Sequence, residues 1–436
     1  MEINPAPAIQ QEAMGIRNRR PKVLIVGAGL SGLTLGAILQ KSDIPYEIFE
    51  RANEVKPLGS AMSFGAPTAP MFKQLGIYDE FVDLAKFNDS IQFYNEKREV
   101  RFGADNYIIA RPELYDLMLR QVPKECISMG KKIVSTVQDS NGVRIQCSDG
   151  SKYKGDILVG ADGAYSAIRQ NLYAELKEAK KLPASDALPL PYSTVCLVGQ
   201  TRLLDTTEFP DVAKESCQFI ITLGGDRPYS WSTFTTVQKT VCWAVVLYLD
   251  AESCKDSDAA NNSEWGPEAA AAMCEQVKGF PVVSGGDKKL TVGDLINWTP
   301  KELIAKVMLE EKVFETWSSG RTVLVGDACH KFNPAGGAGA VNAMHDAVSL
   351  ANYINALPNH PSVDEITKAF SAYREERIQW VQEAFNSSKF FKAMAAKIAF
   401  LPRAEDTGSI SPALQPSLNA KAPIAMEREQ EEARFT

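Results

Sequence analysis

The sequence predicts an α/β protein: a buried, largely parallel sheet flanked by helices, with a second antiparallel sheet inserted into it. Three observations carry this expectation. Lys22-Val-Leu-Ile-Val26 leads through a glycine-rich turn into an apolar helical stretch and then a second strand. Apolar strands of the same kind recur at Asp156–Gly160 and Thr322–Gly326, the pattern of strands buried on both faces. Between those two, the hydrophobic period changes to alternation, which suits an antiparallel sheet.

Taken in order, residues 22–26 form the first strand, 33–40 a helix and 46–50 the second strand, a βαβ unit of about thirty residues. A three-stranded meander follows. Ser140-Asn-Gly142 separates 133–137 from 143–147, and Asp149-Gly150 precedes 152–154. Residues 193–198, 218–222 and 240–248 alternate and should build the inserted sheet, which also carries Trp231, Phe234 and Trp243. Residues 254–288 mix polar loop with an Ala-rich helical piece. Helices are expected from about 340 and over 364–398. The domain plan is then an N-terminal tail (1–20), a discontinuous domain (21–175 and 300–385), an inserted β-sheet domain (176–299), and a C-terminal helix and tail (386–436).

Composition narrows the function classes. Across 436 residues, 45% are hydrophobic and 23% charged, ordinary globular usage with enough chain for a large core. The 47 Lys and Arg against 54 Asp and Glu give a net charge of −7, which argues against a general nucleic-acid binder. An anionic cofactor stays open, because a few backbone dipoles can hold a phosphate in an acidic protein. The eight cysteines contain no C-x-x-C, and with the three histidines at 330, 345 and 360 they offer no zinc spacing, so no metal is expected. Those thiols read as reduced residues of a cytoplasmic protein. The longest apolar run, 241–249, is too short to span a membrane. Residues 389–401 are apolar with spaced lysines; packing as a C-terminal helix is the expectation, and lying on a membrane surface the alternative.

The first chemical motif is Gly27-x-Gly29-x-x-Gly32. Its first glycine permits a tight turn, its second lets a pyrophosphate approach the backbone, and its third lets helix and strand pack closely. The helix that starts there offers N–H groups and a partial positive charge to the phosphates. Glu50 closes the next strand, where a carboxylate can accept from a ribose diol. No second copy of the motif exists, so this fold should hold one dinucleotide, and any second one must dock without a Rossmann unit of its own. The second motif is Asp156-Ile-Leu-Val-Gly-Ala-Asp-Gly-Ala-Tyr-Ser-Ala-Ile-Arg169, with Ser166 placed to cap a helix. The third is Gly326-Asp-Ala-Cys-His-Lys-Phe-Asn-Pro-Ala-Gly-Gly-Ala-Gly-Ala-Val-Asn-Ala-Met-His-Asp-Ala347.

In this order, and over most of the chain from Lys22 to about residue 395, the three motifs resemble those of the single-component (class A, aromatic-hydroxylase-type) FAD-dependent monooxygenases, fungal FAD-dependent oxidoreductases above all. The resemblance implies a glutathione-reductase-type FAD-binding Rossmann domain with an inserted antiparallel β-sheet substrate domain and C-terminal helices. It implies non-covalent FAD, NADPH or NADH as co-substrate, O2 and a small-molecule substrate. The residues matching cofactor positions are Gly27, Gly29, Leu30, Ser31, Gly32, Glu50, Arg51, Ala61, Arg111, Asp162, Gly163, Asp327, Pro334, Gly337, Ala338, Gly339 and Ala340. Asp327 would bond the ribityl chain, Pro334 through Gly339 would wrap the isoalloxazine, and Gly59–Met62 would pass beside it. Asn333, Ala335, Gly336, Trp231 and Phe234 are the candidate pocket residues, with core packing the competing reading for the two aromatics.

The sequence also departs from the family pattern. Ala338 stands where Gln is frequent, Asn333 where an apolar residue is commoner, and His345 where Gln is often found. The implied reaction reduces FAD with NAD(P)H, adds oxygen at the flavin C4a position and transfers one oxygen from the hydroperoxide. The product would be a hydroxylated or epoxidised aromatic or terpenoid-like substrate. No side chain is assigned as a catalytic acid or base. His330 reads as a hydrogen-bonding residue and Cys329 as a buried thiol, rather than a proton shuttle and a covalent flavin anchor. A dehydrogenase, reductase, oxidase or halogenase of the same fold is the enzymatic alternative, although the halogenase signature W-x-W-x-I-P is missing. A non-catalytic binding protein, as in Rab escort proteins, would be free to lose the flavin motifs, and all three are intact.

Overall fold

The computed structural model describes residues 20–55, 60–95, 98–224, 227–249, 267–282, 289–334 and 337–400. The tails at 1–19 and 401–436, Gly59, Ala335, Gly336 and most of 254–288 lie outside the described residues.

The expected parallel sheet is present. Its strand order is Ser318–Ser319, Thr322–Leu324, Ile157–Gly160, Val23–Val26, Tyr46–Phe49 and Ile127–Ser128. All neighbours run parallel except the first pair, which is an antiparallel edge. Val23–Val26 and Ile157–Gly160 are buried at every position, which explains why they read as unbroken apolar runs. Helix Leu30–Lys41 crosses one face and packs along helix Gly339–Asn355. It starts three residues earlier than its apolar pattern suggests, because Leu30, Ser31 and Gly32 form its first turn. The meander folds as Ile133–Asp139, Gly142–Cys147 and Lys152–Gly155.

The second sheet has eight strands and is wider than the 176–299 insertion. Its order is Ala305–Glu310, Tyr192–Gln200, Val241–Tyr248, Tyr229–Thr235, Phe219–Leu223, Lys86–Asn95, Arg98–Ala110 and Ala61–Gly65. Four of these strands therefore come from the segments on either side of the insertion. Lys86–Asn95 and Arg98–Ala110 did not announce themselves as a hairpin because a register shift between Asn88 and Ser90 breaks the alternation. One face of this sheet is buried under helices Pro267–Val277 and Val292–Asn297 by Val195, Leu197, Trp231, Trp243, Val245 and Met273, among others. The last helix, Val363–Phe400, is continuous through the expected boundary at 385/386. Among the described residues, no helix is long and apolar enough to cross a membrane. Within 389–401, Phe390 is exposed, while Lys392 bonds Ser193 and Glu311 and so ties this helix to the sheet.

Candidate active site

The three motifs meet at the C-terminal ends of the parallel strands, where ligands bind in open α/β sheets. At Gly27, φ is +106°, and a Cβ there would sit 2.4 Å from the Ala161 carbonyl oxygen. The turn is therefore closed to any other residue, and it presses the first motif against the second. At Gly29 the reverse holds: a Cβ would meet no protein atom within 4 Å. Space is left over the N-terminus of helix Leu30–Lys41, which has no side-chain cap. Open N–H groups with room for an anion fit the pyrophosphate of a dinucleotide.

Glu50 pins this turn. Its carboxylate accepts the Ala28 N–H at 2.9 Å on one oxygen and the Ala52 N–H at 2.9 Å on the other. A carboxylate has about four lone-pair sites, so acceptors remain for a diol. Arg51 follows on the exposed loop. Ala61 pairs with Ala110, and the Arg111 N–H donates to the Ser60 carbonyl at 3.1 Å, which joins the strand beside the proposed ring site to Arg111. The Arg111 side chain is accessible to solvent. Desolvation lowers its pKa, and the Asp327 carboxylate opposes that shift. The structure thus brings Arg111 and Asp327 into one electrostatic site. Lys331 pairs with Asp327 at 2.5 Å.

Asp162 is turned into the protein. Its carboxylate accepts the Ser166 hydroxyl, the Ala167 N–H at 2.7 Å and the Ile168 N–H at 3.2 Å, and Ser166 in turn caps the helix by accepting the Arg169 N–H. Gly163, at φ +81°, leaves space where a side chain would project. Pro334 is exposed, and Gly337 donates back to its carbonyl at 2.8 Å. Ala338 precedes helix Gly339–Asn355, whose start likewise has no side-chain cap and is partly open at Gly339 and Ala340. Two uncapped helix starts, at Leu30 and at Gly339, therefore border the site.

The pocket residues divide. Trp231 is 5% exposed, donates through its indole N–H to the Pro281 carbonyl at 2.8 Å, and lies in the core on the sheet's covered face. Phe234, an odd number of positions away, points to the other face, where its ring packs tilted against Phe219 with centroids 4.2 Å apart and stays partly exposed. Asn333 is buried and donates to the Thr194 hydroxyl at 2.9 Å. It therefore docks the segment before Pro334 onto the sheet.

Several structural contributors were not singled out from sequence. Arg169 donates to the Ala328 carbonyl at 2.8 Å and to the Ala164 carbonyl at 2.6 Å, and it stacks on Phe314. It thereby locks the second motif to the third. Asp346 is fully buried and accepts from Gly326 N–H at 2.9 Å and Arg377 Nε at 2.8 Å, with His330 as a third partner. Arg377 also reaches Asn342 at 2.9 Å. Arg169 and Asp346 stand inside the quoted motifs, but Arg377 carries no sequence signal because it lies on a separate helix. Cys329, His330 and Asp346 bring potential ligand atoms within 4.8 Å of one another, a grouping no local spacing revealed. Arg377 and Gly326 already engage the Asp346 carboxylate, and burial pushes the Cys329 thiol well up. The same protonated, inaccessible thiol is a poor nucleophile toward a flavin.

The FAD binding domain family matches residues 20–197 and 293–387. The chain is 27% identical over 380 residues to FAD-dependent monooxygenase pyr5 of Aspergillus fumigatus, covering 82% of this chain and 78% of that protein. It is likewise 27% identical over 391 residues to FAD-dependent monooxygenase esdpE of Penicillium shearii, covering 85% and 77%. Among solved structures, the fold is shared with Klebsiella pneumoniae HpxO in complex with FAD and uric acid (TM-score 0.63, 20% identity, 86% of this chain and 88% of that one). It is shared too with 2,6-dihydroxypyridine-3-hydroxylase of Arthrobacter nicotinovorans (TM-score 0.64, 16% identity, 90% and 100%). With the family matched over more than half of its length and these relatives FAD-dependent monooxygenases, the chain belongs to the FAD binding domain family, as an FAD-dependent oxidoreductase of the monooxygenase type.

Proposed function

We propose that this chain uses NAD(P)H and O2 to hydroxylate or epoxidise a small organic substrate, aromatic or terpenoid-like, with FAD held non-covalently. The observation that carries the reading is the convergence of an open, uncapped helix start at Gly29 with Arg111 and Asp327, beneath a sheet face that Asn333 docks against. FAD, when bound, supplies electron storage and oxygen activation, the chemistry that no side chain can provide.

The protein's own part is binding, orientation and the exclusion of water. In this reading the N–H groups of Leu30, Ser31 and Gly32 hold the pyrophosphate, and Glu50 takes the ribose diol. Asp327 and Arg111 flank the chain between phosphates and ring, and Ala61, Pro334 and Gly337 to Ala340 surround the ring. The start of helix Gly339–Asn355 would favour negative charge on the part of the cofactor bound there. A cytosolic, reducing setting suits the buried free thiols.

The test supplies the FAD-loaded protein with NADPH or NADH and 18O2, then analyses a panel of phenols and terpenoid alkenes by mass spectrometry. One labelled oxygen atom in a product supports the reading. Nicotinamide oxidation with all the oxygen recovered as hydrogen peroxide across the panel, or a product formed without label, speaks for an oxidase or dehydrogenase instead.

A further inference from the structure

The two faces of the large sheet differ. In antiparallel pairs, directly opposed residues share a face. Thr194 stands opposite Tyr248, and Thr194 is the residue that accepts from Asn333, so Tyr248 belongs to the face toward the proposed ring site. At the other end of the same face, Cys242 lies beside Ser60, whose carbonyl accepts from the Arg111 N–H. Cofactor-side segments therefore border this face at both ends. Between them, Phe219, Ile221, Phe234, Ala244 and Val246 are all partly exposed, whereas the opposite face is sealed beneath two helices. Among the described residues of strands 192–200, 219–223, 229–235 and 241–248, this face carries no charged side chain.

One polar strip crosses that apolar wall. Asn333 donates to Thr194, Thr194 opposes Tyr248, and the Tyr248 hydroxyl lies 2.9 Å from the Ser230 hydroxyl, where either oxygen can be the donor. Ser230 is buried, while Tyr248 keeps part of its surface open. Burial raises the Tyr248 pKa, so the hydroxyl stays neutral, and Ser230 tempers the shift. A neutral phenol bonded to one partner has capacity left for another.

Resting on the function proposed above, we propose that Tyr248, oriented by Ser230, is a substrate-positioning residue. It hydrogen-bonds an uncharged hydroxyl or carbonyl of a substrate whose apolar body lies along Phe219, Ile221, Phe234, Ala244 and Val246. The wall favours neutral molecules with one polar end, because the described side chains of its four strands offer no cation to an anionic substrate, and Lys392 at its edge is already paired with Glu311.

The experiment measures equilibrium dialysis of three probes against the FAD-loaded protein: 4-butylphenol, butylbenzene and 4-butylbenzoate. A single hydrogen bond predicts that wild type holds the phenol about 5- to 10-fold more tightly than butylbenzene, with the benzoate weakest. Tyr248→Phe should bring the phenol to within about twofold of butylbenzene while the butylbenzene constant stays unchanged, and Ser230→Ala should fall between. A merely structural role would shift all three probes together. An undiminished phenol preference in Tyr248→Phe, tighter binding of the benzoate, or no binding of any probe overturns the inference. FAD content, measured on the same samples, separates the failures: a wild-type chain that takes up no FAD defeats the underlying reading, whereas an FAD-loaded chain indifferent to Tyr248→Phe defeats only this one.

Discussion

Arg377 donates its Nε–H to Asp346 Oδ1 at 2.8 Å, in a site where Asp346 has no solvent exposure and Arg377 has 6%. This pair holds the last helix to the segment after Gly326, since the same carboxylate accepts the Gly326 N–H. Burial resists ionisation of Asp346, but His330 and Arg377 outweigh it and keep the carboxyl well below the usual range. Asp346→Asn leaves the guanidinium buried without its counter-charge and should cost about 3–5 kcal/mol in chemical denaturation. A loss under about 1 kcal/mol would mean that the pair is not structural. The sign of the pH effect follows from the depressed pKa. Stability from Asp346 is complete above the unfolded carboxyl value near pH 4 and drains as pH falls toward the folded value, so the variant should show a flatter acid limb.

Arg169 acts as a clasp between two motifs. Arg169→Met orphans the carbonyls of Ala164 and Ala328 and should lower stability by about 1–3 kcal/mol, together with FAD retention. Arg169→Lys keeps the charge and loses the fork that reaches both oxygens, so it should recover only part of the loss. FAD binding and melting temperature equal to wild type in Arg169→Met would show that the clasp does not matter.

The two glycines of the first turn should separate fold from cofactor. Gly27→Ala meets the Ala161 carbonyl and a positive φ, so the protein should be destabilised with or without FAD. Gly29→Ala meets no protein atom, so the FAD-free protein should melt as wild type does while binding FAD at least about tenfold more weakly. Equal FAD affinity in Gly29→Ala and wild type would move the phosphates elsewhere.

His345, one of the departures from the family pattern, faces the turn at Pro67 rather than open solvent. Burial lowers its pKa to about 4, assisted by Arg377 and resisted by Asp346 and by a hydrogen bond to Pro67. The imidazole is therefore neutral through the physiological range. The unfolded chain takes up a proton near pH 6.5 and the folded one only near pH 4, so wild type should lose about 1–3 kcal/mol as pH falls between them. His345→Gln should remove that slope, read from denaturation midpoints at pH 7 and pH 5. An identical slope in the variant would assign the titration to another group.

Much of this architecture is legible in the sequence because it is local. Gly27–Gly32, Asp156–Arg169 and Gly326–Ala347 each carry strand, turn and helix start within a few residues, and all three converge as their order suggests. What stays hidden depends on pairing between distant segments. The strands at 86–95 and 98–110 form a hairpin whose bulge blurs its period, the strand at 61–65 adds to its far edge, and only the pairing of 86–95 with the distant 219–223 joins them to the rest of the second sheet. Arg377 is one arginine among many until helix Val363–Phe400 brings it to Asp346. Trp231 and Phe234 share a strand and a composition signal, yet the pleat sends them to opposite faces, and only the register tells which faces the ring site. The position of Tyr248 rests on that same register and on the Asn333–Thr194 bond.

FAD should occupy the site formed by Gly29, Arg111 and Asp327. The most direct measurement is the flavin content of the purified chain, read from its visible absorption and from the supernatant after denaturation. The expected result is a yellow protein that releases one intact FAD per chain, and loses it in Gly29→Ala without losing its fold. A colourless wild-type chain that takes up no added FAD, or a flavin that stays with the denatured polypeptide, would contradict it.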